Sequence, residues 1–372
     1  MTNPTPRAPL IDMVKGLACA AIVWHHLAFY GPMSDAALPL FPQLLAWLYD
    51  YGRMAVQVFL VLGGYLAAAS LAPQGWARFD GAWQQIGRRF IRLVVPYLAA
   101  LMLAMFVAAL VRPWLDHPSV PGEPQWSQLL AHALLLQSLL GEESLSAGVW
   151  YVAIDFQLFV LAVLLFAGVR AVPGLRQEQA AGVGKLLVVL GVAASLLLFN
   201  RQPALDNWGI YFFGAYGLGM MACWAVRARR PAFWLVGMAA LGGLALALDF
   251  RGRIALALLT ALGLVWALRQ PWPLPGGAAT AWLQRLGQRS YSVFLVHFPV
   301  CLAVNAVFHH LWPGAALPNS LGMLLAFGLS LAAGRLMYEG VEQHVPTWRQ
   351  AVRWQAGLVG TGMLVSWAGV WL

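Results

Sequence analysis

Charge is what this chain has least of. Asp, Glu, Lys and Arg make up 10% of 372 residues, while 61% are hydrophobic and the mean hydropathy is +0.70. Soluble domains carry about 25% charged residues, so this composition excludes a single water-soluble core and points to the bilayer as solvent. Cysteine is equally scarce. Cys19, Cys223 and Cys301 all fall in apolar runs without metal-ligand spacing, which excludes a disulfide framework and a zinc site. The net charge of +9 does not signal nucleic acid, because Lys and Arg sit in small clusters between apolar stretches instead of one basic stripe. Long polar stretches are missing too. The longest segment between apolar spans is about 36 residues, from Arg112 to Ala147, too short for a separate soluble domain of ordinary size. No internal repeat is visible, which argues against a transporter built from duplicated halves.

What is present is a series of uncharged runs, such as Ala99 to Leu110, Leu186 to Phe199 and Ile254 to Leu268. Runs of this kind read as transmembrane helices. Spans are expected near 10–30, 53–72, 89–111, 148–169, 184–199, 208–226, 232–248, 253–269, 290–311, 320–342 and 355–372. The first is read as a retained helix, because Asp12, Lys15, His25 and His26 interrupt any clean signal-peptide core. The 15 residues from Trp126 to Leu140 are too few to cross and are expected at an interface or in a re-entrant turn. With the N-terminus in the cytoplasm, 18 of the 23 Lys and Arg fall on the inner side, as the positive-inside rule requires. The expected architecture is all-α: a polytopic bundle of about 10–11 transmembrane helices with no soluble domain, forming one domain over 1–372.

Ionisable residues within such spans cost roughly 2.5 to 3.5 kcal/mol each on insertion scales, so each requires a partner or a task. Lys15 and His26 are eleven residues apart, which places them about 20° from a common helix face and about 16 Å apart along the axis. They line one groove, with Asp12 one turn from Lys15 and within pairing reach. His25 is rotated about 100° from His26 and faces elsewhere. A neutral imidazole in that groove is a good general base. The structural alternative is a snorkelling Lys15 and a His26 bonded to a neighbouring helix. Arg88, Arg89 and Arg92 enter the third span, and the last two share a face suited to clamping phosphates, or simply anchor the inner interface. Trp150 and Tyr151 precede Asp155 inside an apolar span, where its carboxylate either serves a site or pairs with an arginine. His297 lies deep in a late span, with Tyr291 before it and Pro299 behind it. Glu339 and Glu342 lie one turn apart near the end of the tenth span, close to arginines they can balance.

These residues resemble a known family, the acyltransferase-3 integral membrane proteins of bacteria and some eukaryotes. Leu10 to Ala18 followed by His26 is similar to the family's basic-residue, ten-residue-gap, histidine motif, with lysine where arginine is usual. Val58 to Tyr65 resembles its second helix, with Gly63 where a serine is common. Arg89-Phe90-Ile91-Arg92 with Pro96 resembles its paired-arginine motif. Trp150-Tyr151 with Asp155 is similar to its aromatic-to-glutamate stretch, and Ser290-Tyr291 with His297-Phe298-Pro299 to its late-helix motif. Glu342 with Pro346 resembles its closing element. The matched core covers 10–346, leaving an extra helix near 355–372.

The resemblance implies an enzyme of the bacterial cytoplasmic membrane that moves an acyl group, usually acetyl, from cytoplasmic acyl-CoA to a hydroxyl of an envelope carbohydrate. The acceptor is a polysaccharide, a lipid-linked sugar or a glycoside. It implies acetyl-CoA or another acyl-CoA as co-substrate, no tightly bound cofactor, no metal and no nucleic-acid partner, with membrane lipid around the chain. In this reading Arg88, Arg89 and Arg92 hold the coenzyme phosphates and Lys15 orients the thioester. Asp12 holds Lys15, and His26 deprotonates the acceptor or briefly carries the acyl group. Trp150, Asp155, Tyr291, His297 and Glu342 bind acceptor or support the site. Three other classes stand beside it. A proton-coupled transporter of a small or sugar-like substrate also uses intramembrane Asp, Lys and His. A haem carrier would use His26 and His297 as axial ligands. A structural subunit would need none of these residues for chemistry.

Overall fold

The computed structural model describes residues 9–270 and 276–369. The described elements are helical throughout: α1 (Pro9–Phe29), α2 (Pro32–Ala37), α3 (Pro42–Tyr51), α4 (Ala55–Leu71), α5 (Ala82–Val111), α6 (Trp126–Ala133), α7 (Gln137–Leu140), α8 (Trp150–Ala171), α9 (Gln177–Leu197), α10 (Gly209–Arg227), α11 (Ala232–Leu248), α12 (Gly252–Arg269), α13 (Ala278–Gln288), α14 (Ser290–Leu311), α15 (Ala316–Met337) and α16 (Trp348–Gly369). In hydrocarbon only a helix or a closed barrel satisfies every backbone group, and this composition takes the helical solution. Among the described residues nine helical segments are long and apolar enough to cross a membrane.

Each expected span coincides with a helix. Two differ in kind. α11 has 17 residues, short for a crossing. The last begins at Trp348, before the expected boundary, and carries Arg349 and Arg353. It runs along α6, with Gln355 donating to the Ala133 carbonyl at 3.0 Å and Ser366 to that of Pro124 at 3.0 Å. The expectation for 370–372 lies outside the described residues. Residues 126–140 form two short helices joined at Leu135, a buried residue at φ 58°. The left-handed backbone there turns the chain back after eight helical residues.

Contacts group the chain into two compact units. One holds 56–89 and 154–280, the other 12–55, 90–153 and 281–372. In the first, α10 is packed on all sides, with every residue from Tyr211 to Ala225 buried. Its glycines explain the fit. A Cβ on Gly219 would fall onto the Val61 carbonyl of α4, and one on Gly64 onto the Tyr216 carbonyl of α10. Two helices meet here backbone to backbone, the small-residue contact that gives membrane helices their packing when no hydrophobic effect drives them together. Trp224 locks the same pair by donating to the Ala72 carbonyl at 2.9 Å.

In the second unit α14 is the central element, buried from Ser292 to Pro299. It packs on α15, where Gly334 lies against the Val293 backbone. Asn305 pins the turn after α1 to the same helix, accepting from Met33 N–H at 3.0 Å and donating to Cys301 O at 3.0 Å. Gly31, at φ 96°, lies so close to the Asn305 carboxamide that a side chain has no room. The end of α1, which carries His26, is thereby fixed against α14.

Gly219→Leu is expected to lower stability by about 2 kcal/mol or more, because the α4–α10 backbones must part. Gly243→Leu, whose position faces open space, should leave it unchanged. Thermal unfolding of the two variants in detergent checks the contrast.

Candidate active site

The two adjacent histidines of α1 have different surroundings, as their rotation around the helix requires. His25 Nδ1 donates to the Leu48 carbonyl of α3 at 2.9 Å, and Gly52 gives it room. It fastens one helix to another. His26 instead faces α14, where its Nδ1 lies 2.5 Å from His297 Nε2, with the two rings nearly parallel at 10° and centroids 4.7 Å apart. The Nδ1 of His297 bonds the Phe294 carbonyl at 2.6 Å. His297 is fully sealed, whereas His26 retains 7% exposure. Among the described residues no hydrogen bond reaches His26 Nε2.

Aromatic side chains and one glycine line this pair. The Tyr30 ring lies 5.3 Å from that of His26. Tyr151 meets Phe294 edge-on at 5.7 Å, and Phe294 lies 5.9 Å from the His297 ring. Trp150 packs on Tyr151 at 6.3 Å. Gly148 closes the approach: a Cβ there would come 3.2 Å from His26 Cε1 and 3.1 Å from Phe294 Cζ, and its φ of 79° disfavours any other residue.

Gly148 is delivered by a polar segment. Gln128 donates to the Glu143 carbonyl at 2.8 Å, and Gln137 to that of Val149 at 3.4 Å. His132 gives its Nδ1 proton to the Gln128 carbonyl at 2.7 Å and accepts the Leu145 N–H on Nε2 at 3.3 Å. An imidazole placed between a carbonyl and an N–H must stay neutral. Burial accordingly pushes the His132 pKa down to about 4, against the opposing pull of the Gln128 carbonyl and Glu142.

At the other end of α1, Gly16 and Gly287 bring α1 against α13 without side chains between them. Asp12 there accepts from Gln288 Nε2 at 3.3 Å. Lys15 is half-buried on the same helix. Its charge and that of Arg92 both act on Glu342, whose carboxylate accepts the Ser292 hydroxyl at 2.5 Å and the Ser292 N–H at 3.1 Å. Glu342 therefore caps the first turn of α14, the helix that carries His297. It reaches Ser292 from a π-helical turn, Tyr338–Glu342, which offsets it from the α-helical register. Glu339 turns the other way, to Arg289 at 3.3 Å and Arg335 at 2.8 Å. The Tyr291 hydroxyl donates to the Leu93 carbonyl of α5 at 2.8 Å.

The three arginines of α5 differ in their surroundings. Arg92 and Arg88 are exposed. Arg89, in the other unit, pairs with buried Asp155 at 2.5 Å and lies 5.3 Å over the Phe159 ring. Gly63 and Tyr216 pack beside that carboxylate. The second unit thus gathers His26, His297 and Tyr151 in one cluster and Lys15, Arg92 and Glu342 in another, and the first unit holds the Arg89–Asp155 pair. Among the described residues no three His, Cys, Asp or Glu come together as metal ligands. Sequence reading passed over Gly148, Phe294, Ser292, Gln288 and His132. Ser292 and Phe294 lie inside the late-helix motif. Nothing in the sequence marks Gly148 apart from the other glycines.

The described structure is a bundle of apolar helices enclosing an imidazole pair, with Lys15 toward the other end of the helix that carries His26. The sequence matches the family described as the acyltransferase domain over residues 9–339, and the chain belongs to that family. It is an integral membrane acyltransferase and uses an acyl donor and an acceptor. It is also similar to the acyltransferase MdmB of Streptomyces mycarofaciens, with 24% identity over 335 residues, 79% of each chain. No solved structure matches.

Gly148→Ala is expected to displace the His26 ring and reduce acyl transfer by about 10- to 100-fold, with the folded protein retained. Steady-state rates beside a thermal melt check it. His132 adds a pH dependence. Its neutral form is required when folded, while the unfolded histidine titrates near 6.5, so the unfolded state binds more protons between those values. Stability should therefore fall as pH drops from about 6.5 to about 4, by up to about 3 kcal/mol. A flatter slope in His132→Gln, from melts at pH 7 and 4.5, checks the assignment.

Proposed function

We propose that this acyltransferase moves an acyl group, most simply acetyl, from coenzyme A in the cytoplasm to a hydroxyl of a cell-envelope carbohydrate, with His26 Nε2 as the reacting atom. The observation that carries the reading is the open Nε2 of a histidine whose other nitrogen is held by a second, sealed histidine. Such an imidazole removes a proton from an alcohol at neutral pH. The acceptor O–H gives its proton to Nε2 while its oxygen attacks the thioester carbonyl. The C–S bond then breaks, and the thiolate leaves and takes the proton back from Nε2. In the alternative order Nε2 itself attacks the thioester and holds the acyl group until the hydroxyl displaces it.

The charge distribution supports an acyl-CoA donor. Coenzyme A is polyanionic, and Lys15, Arg88 and Arg92 belong to the basic side of the chain under the positive-inside rule. Arg89 is paired with Asp155 within its own unit. About 16 Å along α1 separates Lys15 from His26, a gap that an extended thioester arm can bridge while its phosphates stay near the cations. Tyr151, Trp150 and Tyr30 supply the aromatic walls on which a sugar ring can rest. In this reading the N-terminus is cytoplasmic and the protein lies in the bacterial inner membrane.

Purified protein in detergent, given acetyl-CoA, tests the reading without knowledge of the acceptor. His26→Ala is expected to abolish donor turnover with binding retained, and Arg88→Ala with Arg92→Ala to weaken donor binding. His25→Ala should keep its activity and lose about 1 kcal/mol of stability with the bond to Leu48. No affinity for any CoA thioester in the wild type would overturn the proposed donor and point to an acyl donor of another class.

A further inference from the structure

The His26–His297 contact has a definite proton inventory. At 2.5 Å between His26 Nδ1 and His297 Nε2, two facing lone pairs would repel, so one proton lies between them. Its owner follows from the next bond along. A carbonyl oxygen only accepts, so His297 Nδ1 must donate its proton to Phe294 O at 2.6 Å. If His297 is neutral, its Nε2 carries a lone pair, and the shared proton belongs to His26 Nδ1. The other assignment makes His297 a cation. His297 is sealed from solvent, and among the described residues no carboxylate is bonded to either ring. An uncompensated charge there would be costly. Among the described residues the titratable rings in contact with His26 besides His297 are those of His25 at 5.2 Å and Tyr30 at 5.3 Å, and neither supplies a counter-charge.

We infer that His297 is a positioning residue that holds His26 in the Nδ1–H tautomer, so that the lone pair of Nε2 faces the approaching substrate. The relay runs from the Phe294 carbonyl through His297 Nδ1–H and Nε2 to His26 Nδ1–H. His297 takes the place that a carboxylate holds in a serine-hydrolase triad, and does so without charge. A neutral partner suits hydrocarbon, where a resting carboxylate would need its own compensation. When Nε2 takes the acceptor's proton, the pair gains one positive charge. Protons then sit on His26 Nε2, between the rings and on His297 Nδ1, and the charge is shared by two imidazoles until the leaving thiolate removes the Nε2 proton. The geometry also explains the Glu342–Ser292 bonds and the Asn305 clamp. One caps α14 and the other fixes α1 to it, and the relay requires both helices to keep their register.

The catalytic consequence rests on the acyl-transfer reading, whereas the tautomer does not, so two readouts separate them. The first is nitrogen NMR of protein labelled at the histidine rings, with His26 assigned by its loss in His26→Ala. Wild type is expected to carry the His26 proton on Nδ1, and His297→Ala to move it to Nε2, the form free imidazole side chains prefer. The second is kinetic. His297→Ala should lower kcat about 100-fold with the KM for acetyl-CoA unchanged. In His297→Gln a side-chain oxygen can still accept from Nδ1, so about tenfold of that loss should return. Wild-type His26 protonated on Nε2, or a folded His297→Ala with full kcat, would overturn the inference. An Nδ1–H signal in a protein that transfers no acyl group from acetyl-CoA would overturn the proposed donor and leave the positioning role standing.

Discussion

In the hydrocarbon core no water is available to satisfy a stranded donor or acceptor, so a buried polar group there must find its partner within the protein. Much of this structure follows from that constraint. Asp12, His25, His26, Gln57, Asp155, Ser195, His297, Asn305 and Ser330 are all buried on helices, and the polar bonds of several join one helix to another. His25 joins α1 to α3, Asn305 joins α14 to the turn after α1, Asp155 joins α8 to α5, and His26 joins α1 to α14. The groups that are expensive to bury therefore specify which helices are neighbours.

Glycine supplies the other half of the packing. Apolar side chains gain little by leaving lipid for protein, and close backbone approach becomes the main source of dispersion contact. Gly64 and Gly219 bring α4 and α10 together in one unit, and Gly16 and Gly287 bring α1 and α13 together in the other. Where glycines face open space, as at Gly237, Gly243 and Gly263, they carry no such function. At Gly148 the same absence of a side chain leaves room for the His26 ring and holds a backbone conformation that other residues avoid.

The buried histidines differ in how fully they are bonded. His26 is bonded on one nitrogen only, in a protein where its neighbour His25 is tied into a helix junction and the distant His132 is satisfied on both of its nitrogens. Family membership makes the chain an acyltransferase, and His26 differs from the other two histidines in that its bonded nitrogen meets a second imidazole instead of the backbone. On the same helix Lys15 lies about three turns from it.

Composition and periodicity alone determined the fold class and the approximate place of each apolar helix, because hydrocarbon permits little besides helices. Eleven spans were expected and nine described segments are long and apolar enough to cross, and the starts of several helices lie some residues before the expected ones. The angular separation of His25 from His26, and the common face of Lys15 and His26, were legible for the same reason: both are local helix geometry. Partners distant in sequence were not. That His26 meets His297, 271 residues away, that Arg89 pairs with Asp155, and that Glu342 caps α14 through Ser292 depend on which helices pack together. The glycine contacts and buried bonds decide that collectively, and no single segment encodes it. Gly148 is the clearest case. Its sequence neighbours mark it as one glycine among 37, and only the tertiary structure places it against the imidazole.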